Sequence, residues 1–312
     1  MSKFRNGMIL SFVLVGSVVG AGFATGREIM LFFQNCPVYL SGVVFTILFF
    51  LVTVLILTLT KEMKVCDVRE FTLKIGGTRV ANVYTFLFSL NFFLSATAML
   101  AGANSVLNLL FCVECSFPWF GLLTAMLAGV ITYKGIDGLK AVNFLAVPLI
   151  AVFIFLLAFR TKNYLPFASE LRLFPTITEA SVYISMNAMM MCGVLISVGK
   201  NVTQKEIWFS SFVASVLLGL LVFAVLYATR NLDFKNIEMP LVFLASEGSF
   251  FLYSFGLIVV YLAIFTTLLS GVYPLQTTLN KKIKDKAFSN VVILGFAFAL
   301  SSFGFRKIVD FF

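Results

Sequence analysis

The sequence predicts an all-α protein that crosses a membrane several times. Of its 312 residues, 60% are hydrophobic and 12% are charged, whereas a soluble domain carries about 25% charged residues. The apolar residues form runs of about 20, which is the length that a helix needs to cross the roughly 30 Å hydrocarbon core of a bilayer. Two of these runs are interrupted near their middle by glycine and polar residues, which are costly for a helix surrounded by lipid.

The composition excludes several functions. The chain has no histidine, which removes histidine-based metal sites, Ser-His-Asp triads and the ordinary histidine general base. Its net charge of +9 would suit a nucleic-acid partner, but a soluble basic domain does not carry long apolar runs between its charges. We therefore expect a non-enzyme with no catalytic residues, no cofactor and no nucleic-acid partner.

Nine apolar runs predict nine membrane crossings, which we call spans 1 to 9. They cover residues 7-34, 38-60, 79-111, 118-133, 139-159, 176-199, 206-229, 249-279 and 287-304. A hydrophobic segment, Phe303 to Phe312, follows them. In the long loop between spans 7 and 8, the apolar residues Met239 to Ala245 predict a short helix packed on the outer surface.

The distribution of lysine and arginine predicts a cytoplasmic N-terminus. With that orientation, fifteen of the 23 basic residues lie on the cytoplasmic side and eight remain for the outside and the membrane, as the positive-inside rule requires. The fifteen are Lys3, Arg5, Lys61, Lys64, Arg69, Lys74, Arg79, Lys134, Lys140, Lys200, Lys205, Lys281, Lys282, Lys284 and Lys286.

Span 1 carries residues that a plain lipid-facing helix avoids. They are Gly16, Gly20, Gly22, Gly26, Arg27 and Glu28. Each glycine costs a helix about 1 kcal/mol relative to alanine, and a charge at mid-bilayer costs some 3 kcal/mol or more. Close helix packing explains the first two glycines, which are four residues apart, but not the other two or the charged pair. We predict a discontinuous helix, with about five unwound residues whose backbone groups line a cavity.

Span 6 has a similar interruption. Asn187, the three methionines from Met189 to Met191, and Gly193 lie at mid-span. Taken alone, they fit packed core equally well, because methionine fills gaps and an asparagine can bond a neighbouring helix. Spans 1 and 6 are five crossings apart and therefore run in opposite directions. Interrupted helices at corresponding positions of two inverted halves indicate the substrate site of a secondary transporter near the bilayer midplane.

The nine residues from Gly20 to Glu28, GAGFATGRE, closely resemble the G-A-G-F-A-(S/T)-G-(Q/R)-E signature of YkvI-like bacterial membrane proteins. That family belongs to the amino acid-polyamine-organocation superfamily. The similarity extends along most of the chain, including Val142-Asn143 and Val147-Pro148 in span 5. The resemblance implies the leucine-transporter fold, in which five plus five inverted helices include discontinuous helices 1 and 6, in a bacterial cytoplasmic membrane.

The resemblance also implies one transmembrane domain, residues 1-312, with a first repeat at about 7-159 and a second at about 176-312. The fold has ten helices, and this chain stops about where the tenth should begin, near Gly304. We therefore expect an incomplete second repeat that lacks helix 10.

The substrate site of the fold lies at the unwound part of helix 1, where backbone N–H groups suit a substrate carboxylate. With the polar residues of spans 3 and 6, the resemblance implies substrate contacts at Gly20, Ala21, Gly22, Phe23, Asn91, Ser95, Asn187 and Met190. Thr97, Asn104 and Ser270 extend the same polar faces. Polar residues within a membrane more often bond neighbouring helices, which is the alternative for each of them.

The second sodium site of the fold maps onto spans 1 and 8. The matching positions are Gly16, Val19, Ala263, Thr266 and Thr267. Na+ is a hard cation that prefers oxygen ligands, which carbonyl and hydroxyl groups supply without a buried charge. The alternative is that both threonine hydroxyls bond to their own helix. The resemblance thus implies Na+ as the coupling ion and no other cofactor.

Three charged residues keep two interpretations each. In one interpretation Arg27 and Glu28 form a local ion pair at the outer vestibule. In the other, Glu28 is a proton acceptor or an external gate. Lys140 is either a coupling residue of a proton-driven transporter or an anchoring lysine at the inner end of span 5.

These expectations describe a symporter for an amino acid or similar small organic solute, coupled to Na+. Its bundle of spans 1, 2, 6 and 7 would rock against spans 3, 4, 8 and 9 to give alternating access. H+ coupling and a ligand-sensing receptor of the same fold, like some germinant receptor subunits, are the alternatives. Its partners would be the solute, Na+ or H+, and the bilayer; the substrate and the oligomeric state stay open.

Overall fold

A computed structural model describes residues 2–65, 67–113, 115, 117–161, 172–199, 202–232, 237–280 and 285–301. Within these ranges the chain forms twelve α-helices and no β-strand. The helices are α1 Ser2–Val18, α2 Ala21–Thr25, α3 Arg27–Phe33, α4 Val38–Met63, α5 Val68–Phe111, α6 Trp119–Tyr133, α7 Ile136–Arg160, α8 Leu173–Gly199, α9 Gln204–Thr229, α10 Pro240–Ser246, α11 Phe250–Leu279 and α12 Lys286–Ser301.

The predicted spans correspond to these helices in order. Span 1 is divided among α1, α2 and α3, spans 2 to 7 are α4 to α9, and spans 8 and 9 are α11 and α12. The short helix α10 lies where the loop between spans 7 and 8 predicts one. The segment from Phe303 to Phe312, and with it the prediction about helix 10, lies outside the described residues.

The described helices differ in length. By length and composition, α4, α5, α7, α9 and α11 suffice to cross a membrane, and α8 is a sixth if its bent halves count as one span. Three other apolar helices are shorter, Asn6–Val18, Trp119–Tyr133 and Ala287–Ser301. On α4, exposed Val43, Ile47, Leu51 and Leu55 recur every fourth residue. Such an apolar face suits contact with lipid, and a soluble surface rarely carries one.

Local sequence signals set several helix ends. Asp67 caps α5 by accepting a hydrogen bond from the Glu70 backbone N–H at 2.9 Å, and Thr203 and Glu206 form a capping box at the start of α9. Gly77 has a φ of 73° and bends α5 near its start. The hydropathy pattern places the start of span 3 at residue 79, just beyond this bend, because the first turns of α5 carry charged residues.

Packing divides the helices into two groups. In one group α4 packs on α8 and α9, and α1 packs on α9; in the other α5 packs on α11 and α12, and α6 packs on α12. The two buried apolar clusters extend across both groups: the first includes Ala103 of α5 and Leu257 of α11, and the second includes Val13 of α1 and Val194 of α8. Helix α7 packs on both α1 and α11. The groups match the two sets of spans that alternating access would move against each other.

The two interrupted spans differ from the prediction in detail. In span 1 the first break covers two residues, Val19 and Gly20, and a second break follows at Gly26, so the expected run of about five unwound residues was wrong. Span 6 stays helical from Leu173 to Gly199, but its halves Leu173–Met189 and Met191–Gly199 lie at 62° to each other. Its interruption is a bend, not an unwound segment.

Candidate substrate and ion site

The first break in span 1 leaves the carbonyl groups of Gly16, Ser17 and Val19 without a hydrogen-bond donor among the described residues. In a continuous helix the Gly20 N–H would donate to the Gly16 carbonyl, but here it donates to the Val18 oxygen at 2.9 Å. The Ala24 N–H donates to the Gly20 oxygen at 2.9 Å. No hydrogen bond among the described residues reaches the carbonyl oxygen of Gly16 or Val19. Buried backbone groups normally have partners, so these two oxygens are candidate ligand atoms.

The second break turns α3 back toward α2. Gly26 has a φ of 82°, a left-handed conformation that glycine adopts without strain. Beyond it, the side chain of Glu28 lies against Gly22: a Cβ added to Gly22 would be 2.0 Å from Glu28 Oε1. The sequence predicted a single break, and the return of Glu28 over Gly22 was not foreseen.

The hydroxyl groups of span 8 bond to their own helix. The Oγ1 atoms of Thr266 and Thr267 both donate to the Ala263 oxygen, at 3.0 and 2.9 Å. This is the alternative left open by the sequence, and it also gathers three oxygen atoms at one place. A Cβ added to Gly20 would be 3.0 Å from Thr267 Oγ1. Thr267, a predicted ion ligand, therefore lies at the break in span 1, against the predicted substrate residue Gly20, which is next in sequence to the predicted ion ligand Val19.

Asn143 of α7 is a buried residue that sequence reasoning did not assign to the site. Its side chain is 0% exposed, and a Cβ added to Gly16 would be 2.0 Å from its Oδ1. Among the described residues, neither Oδ1 nor Nδ2 has a hydrogen-bond partner, and the same holds for the buried hydroxyl of Ser270. An unpaired buried polar group costs about 1–3 kcal/mol. An asparagine within an apolar run was the available signal.

Glu28 contacts span 6 through Tyr183, another residue that the sequence analysis missed. The Tyr183 hydroxyl donates to Glu28 Oε2 at 3.2 Å. Tyr183 is fully buried, and its ring packs against Phe32, Phe33 and Phe45. This bond joins α3 to α8, so it links the two interrupted spans.

The charged residues do not form the pair that one interpretation expected. Arg27 is exposed, and the ion pair recorded within the described ranges is Lys140 with Asp137, at 3.5 Å, not Arg27 with Glu28. The local ion pair of Arg27 and Glu28 is therefore wrong, because Glu28 turns inward to Tyr183. Lys140 lies near the N-terminus of α7, where it and Glu206 line a cavity of about 220 Å³. That position fits an anchoring lysine.

The other predicted substrate residues have mixed surroundings. Asn187 is half-buried, and its Nδ2 donates to the Tyr183 carbonyl at 3.0 Å, one turn earlier in α8. Phe23 is fully buried in the core, while Ala21, Gly22 and Ser95 are half-buried and Asn91 is exposed. The side chain of Met190 lies outside the described residues.

Two of the further polar residues have structural roles. The Thr97 hydroxyl donates to the Phe93 carbonyl at 2.9 Å, and Asn104 Oδ1 accepts from the Gly121 N–H at 3.3 Å. The first bond lies within α5 and the second joins α5 to α6. For these two residues the helix-bonding alternative fits the structure.

Solved structures share this arrangement of helices. The chain superposes on MhsT in complex with L-phenylalanine with a TM-score of 0.61 at 14% identity, over 96% of this chain and 78% of the other. The TM-score is 0.62 at 14% identity for Mhp1, a nucleobase-cation-symport-1 family transporter with bromovinylhydantoin bound, over 95% and 71%. It is 0.63 at 14% identity for a mutant manganese transporter from Eremococcus coleocola, over 93% and 68%.

These similarities define the class of protein. The chain is an all-α, multi-pass membrane protein with the leucine-transporter fold. Its neighbours in fold agree with the expectation that it is not an enzyme.

Two relatives from Bacillus subtilis (strain 168) extend over nearly the whole chain. Identity is 24% over 314 residues to the uncharacterized protein YyaD, covering 99% of this chain and 92% of YyaD. It is 23% over 324 residues to the uncharacterized membrane protein YkvI, covering 96% and 89%. No protein-family model matches the chain. The resemblance to YkvI-like bacterial membrane proteins is thereby confirmed.

Proposed function

We propose that the protein is a secondary active transporter that carries an amino acid or similar small organic solute together with Na+. It would work by alternating access in the bacterial cytoplasmic membrane, with its N-terminus in the cytoplasm. The observation that carries this proposal is the break in span 1, where carbonyl groups lack a donor among the described residues and Gly20 lies against Thr267 of α11. Transporters of this fold build their sites from such unwound segments.

The chemistry of the break suits an ion with oxygen ligands. The carbonyl oxygens of Gly16 and Val19 have no donor among the described residues. On α11, which meets the break through the contact of Thr267 with Gly20, the Ala263 carbonyl and the hydroxyls of Thr266 and Thr267 are gathered at one place. A hard cation such as Na+ prefers these atoms. Because the ion would join span 1 to α11, its binding would favour one arrangement of the two helix groups over the other.

The surroundings of α2 suit a zwitterionic solute. The N–H groups of Ala21 and Gly22 have no acceptor among the described hydrogen bonds, and both residues are small and half-buried. Those groups would bind the carboxylate of an amino acid. Glu28, which has no basic partner in the described part of the chain, would bind its ammonium group.

Uptake into proteoliposomes tests the proposal. We expect a labelled amino acid to accumulate with an inward Na+ gradient and not when choline replaces Na+. Thr267→Ala should weaken the Na+ dependence about tenfold or more. Thr229→Ala is the matched control, because the Thr229 hydroxyl also bonds its own helix, at 2.8 Å from the Val225 oxygen. Equal uptake in choline, and an unchanged response in Thr267→Ala, would exclude Na+ coupling.

H+ coupling is the second candidate, favoured by the bond between Glu28 and Tyr183 across the two interrupted spans. An inward pH gradient that drives uptake without Na+, and fails to do so in Glu28→Gln, would support it. If solutes raise the melting temperature but show neither uptake nor counterflow, the protein is a receptor of this fold and not a transporter.

A further inference from the structure

Asn143 stands out among the buried amide side chains. Within the described ranges, other buried asparagine and glutamine side chains leave one polar atom unpaired, whereas Asn143 leaves both Oδ1 and Nδ2 unpaired. Asn290 of α12 is a useful contrast: it is also buried, but its Nδ2 donates to the Gly129 carbonyl at 3.1 Å. A leucine would fill the position of Asn143 without unpaired atoms, so packing alone does not explain the amide.

The position of Asn143 is defined on one side by span 1. Its Oδ1 lies so close to Gly16 that a Cβ there would be 2.0 Å away. Gly16 is also the residue whose carbonyl loses its helical donor at the break. The Asn143 amide and the Gly16 carbonyl therefore belong to neighbouring residues in the core. Among the described residues, both of their oxygen atoms lack a hydrogen-bond donor.

The depth of Asn143 along α7 matches that of the hydroxyl groups on α11. The two helices run in opposite directions, and Phe153 of α7 lies against Gly256 of α11, where an added Cβ would be 2.9 Å from its Cζ. Ten residues toward the N-terminus of α7 lead from Phe153 to Asn143, and ten residues toward the C-terminus of α11 lead from Gly256 to Thr266. Each step covers about 15 Å at 1.5 Å per residue, so the two residues lie at a similar depth. Ser270, with its unpaired hydroxyl, lies one turn beyond.

We propose that Asn143 Oδ1 is an additional ligand of the coupling cation, so that α7 contributes to the ion site together with span 1 and α11. The inference rests on the proposed function. An amide oxygen is a neutral, hard ligand of the kind that Na+ prefers. An ion there would give Oδ1 its missing partner and would hold three helices together. The amide explains why this buried position is polar.

A Na+ titration of the purified protein tests the proposal. Thermal stabilisation and binding of radioactive Na+ would be measured at constant ionic strength, with choline as the replacement. We expect Asn143→Ala to raise the Na+ concentration of half-maximal effect at least tenfold, with little change of the melting temperature in choline. The control Asn290→Ala should do the opposite: a lower melting temperature in choline and a Na+ midpoint within twofold of wild type.

A second variant keeps the test decisive if Asn143→Ala does not fold. Asn143→Asp has the same shape and adds a charge, so it should lower the Na+ midpoint several-fold. Wild-type midpoints in both Asn143 variants, with a raised midpoint in Thr267→Ala, would overturn the role of Asn143 and leave the proposed function standing. No Na+ response in the wild-type protein would overturn both.

Discussion

The two interrupted spans depart from a straight helix in different ways. Span 1 opens at Val19 and Gly20 and leaves carbonyl groups unpaired, whereas α8 in span 6 keeps its helix and bends by 62°. Glycine plays different parts in them. Gly26 has a φ of 82° that the chain reversal requires, while Gly193 lies within a helix, where an added Cβ would meet Phe88 and Pro274 at 2.9 Å. Glycine thus opens the first span and lets the sixth pack closely.

The largest expected effect comes from Gly22→Ala. The new Cβ would lie 2.0 to 2.4 Å from Glu28 Oε1, Cδ and Cγ, so the Glu28 side chain must leave its place. We expect solute uptake to fall about 100-fold, because misplacing a functional group by about 1 Å can have that effect. Gly129→Ala is the control, since the one described side chain that its Cβ would meet is Leu294, at an ordinary contact distance of 3.4 Å. If Gly22→Ala and Gly129→Ala reduce solute uptake equally, the loss does not come from displacing Glu28, and Glu28 needs no defined position for transport.

The contrast between the two glycines gives the next prediction. Gly26→Ala should lower the free energy of unfolding by about 1–2 kcal/mol, because a left-handed conformation is unfavourable for alanine. Gly193→Ala should lower it by about 1–3 kcal/mol through overpacking. Reversible unfolding in mixed micelles would measure both.

Compensating variants separate the two causes. Phe88→Leu should recover part of the stability lost in Gly193→Ala, since it removes one of the atoms at 2.9 Å. Leu241→Ala, which removes the nearest neighbour of Gly26, should recover little in Gly26→Ala, because the strain lies in the backbone itself. Full recovery by Leu241→Ala would mean that Gly26 is needed for space only.

The sequence predicted more of the fold than of the site. Apolar runs located the spans, since a helix needs about 20 apolar residues to cross the hydrocarbon core and pairs all of its backbone groups internally. The glycines of span 1 indicated a break, because they are costly in a helix without another use. The sequence does not encode distances between spans, so the approach of Asn143 to Gly16 and of Tyr183 to Glu28 could not be predicted. The bend of α8 instead of an unwound segment also depends on its neighbours.

A double-mutant cycle on Glu28 and Tyr183 probes the polar contact between the two spans. Hydrogen bonds to a charged group are worth about 1.5–3 kcal/mol. We expect Glu28→Ala and Tyr183→Phe to interact by about that amount in the free energy of unfolding, since the Tyr183 hydroxyl and Glu28 Oε2 are 3.2 Å apart and each variant removes one partner of the bond. Tyr183→Phe keeps the ring contacts with Phe32, Phe33 and Phe45. Additive effects of the two variants would mean that this bond does not couple spans 1 and 6.

The smallest expected effect concerns Asn187, and it decides what the polar part of span 6 does. Its Nδ2 donates to the Tyr183 carbonyl within α8, at 3.0 Å. Such a bond contributes about 0.5–1.5 kcal/mol, so Asn187→Ala should reduce stability by no more than that. If Asn187 also contacts the solute, the KM of the Asn187→Ala variant for solute uptake should rise about tenfold while its Na+ midpoint stays unchanged. A lower stability with an unchanged KM would restrict Asn187 to shaping the bend, and substrate recognition would then rest on span 1.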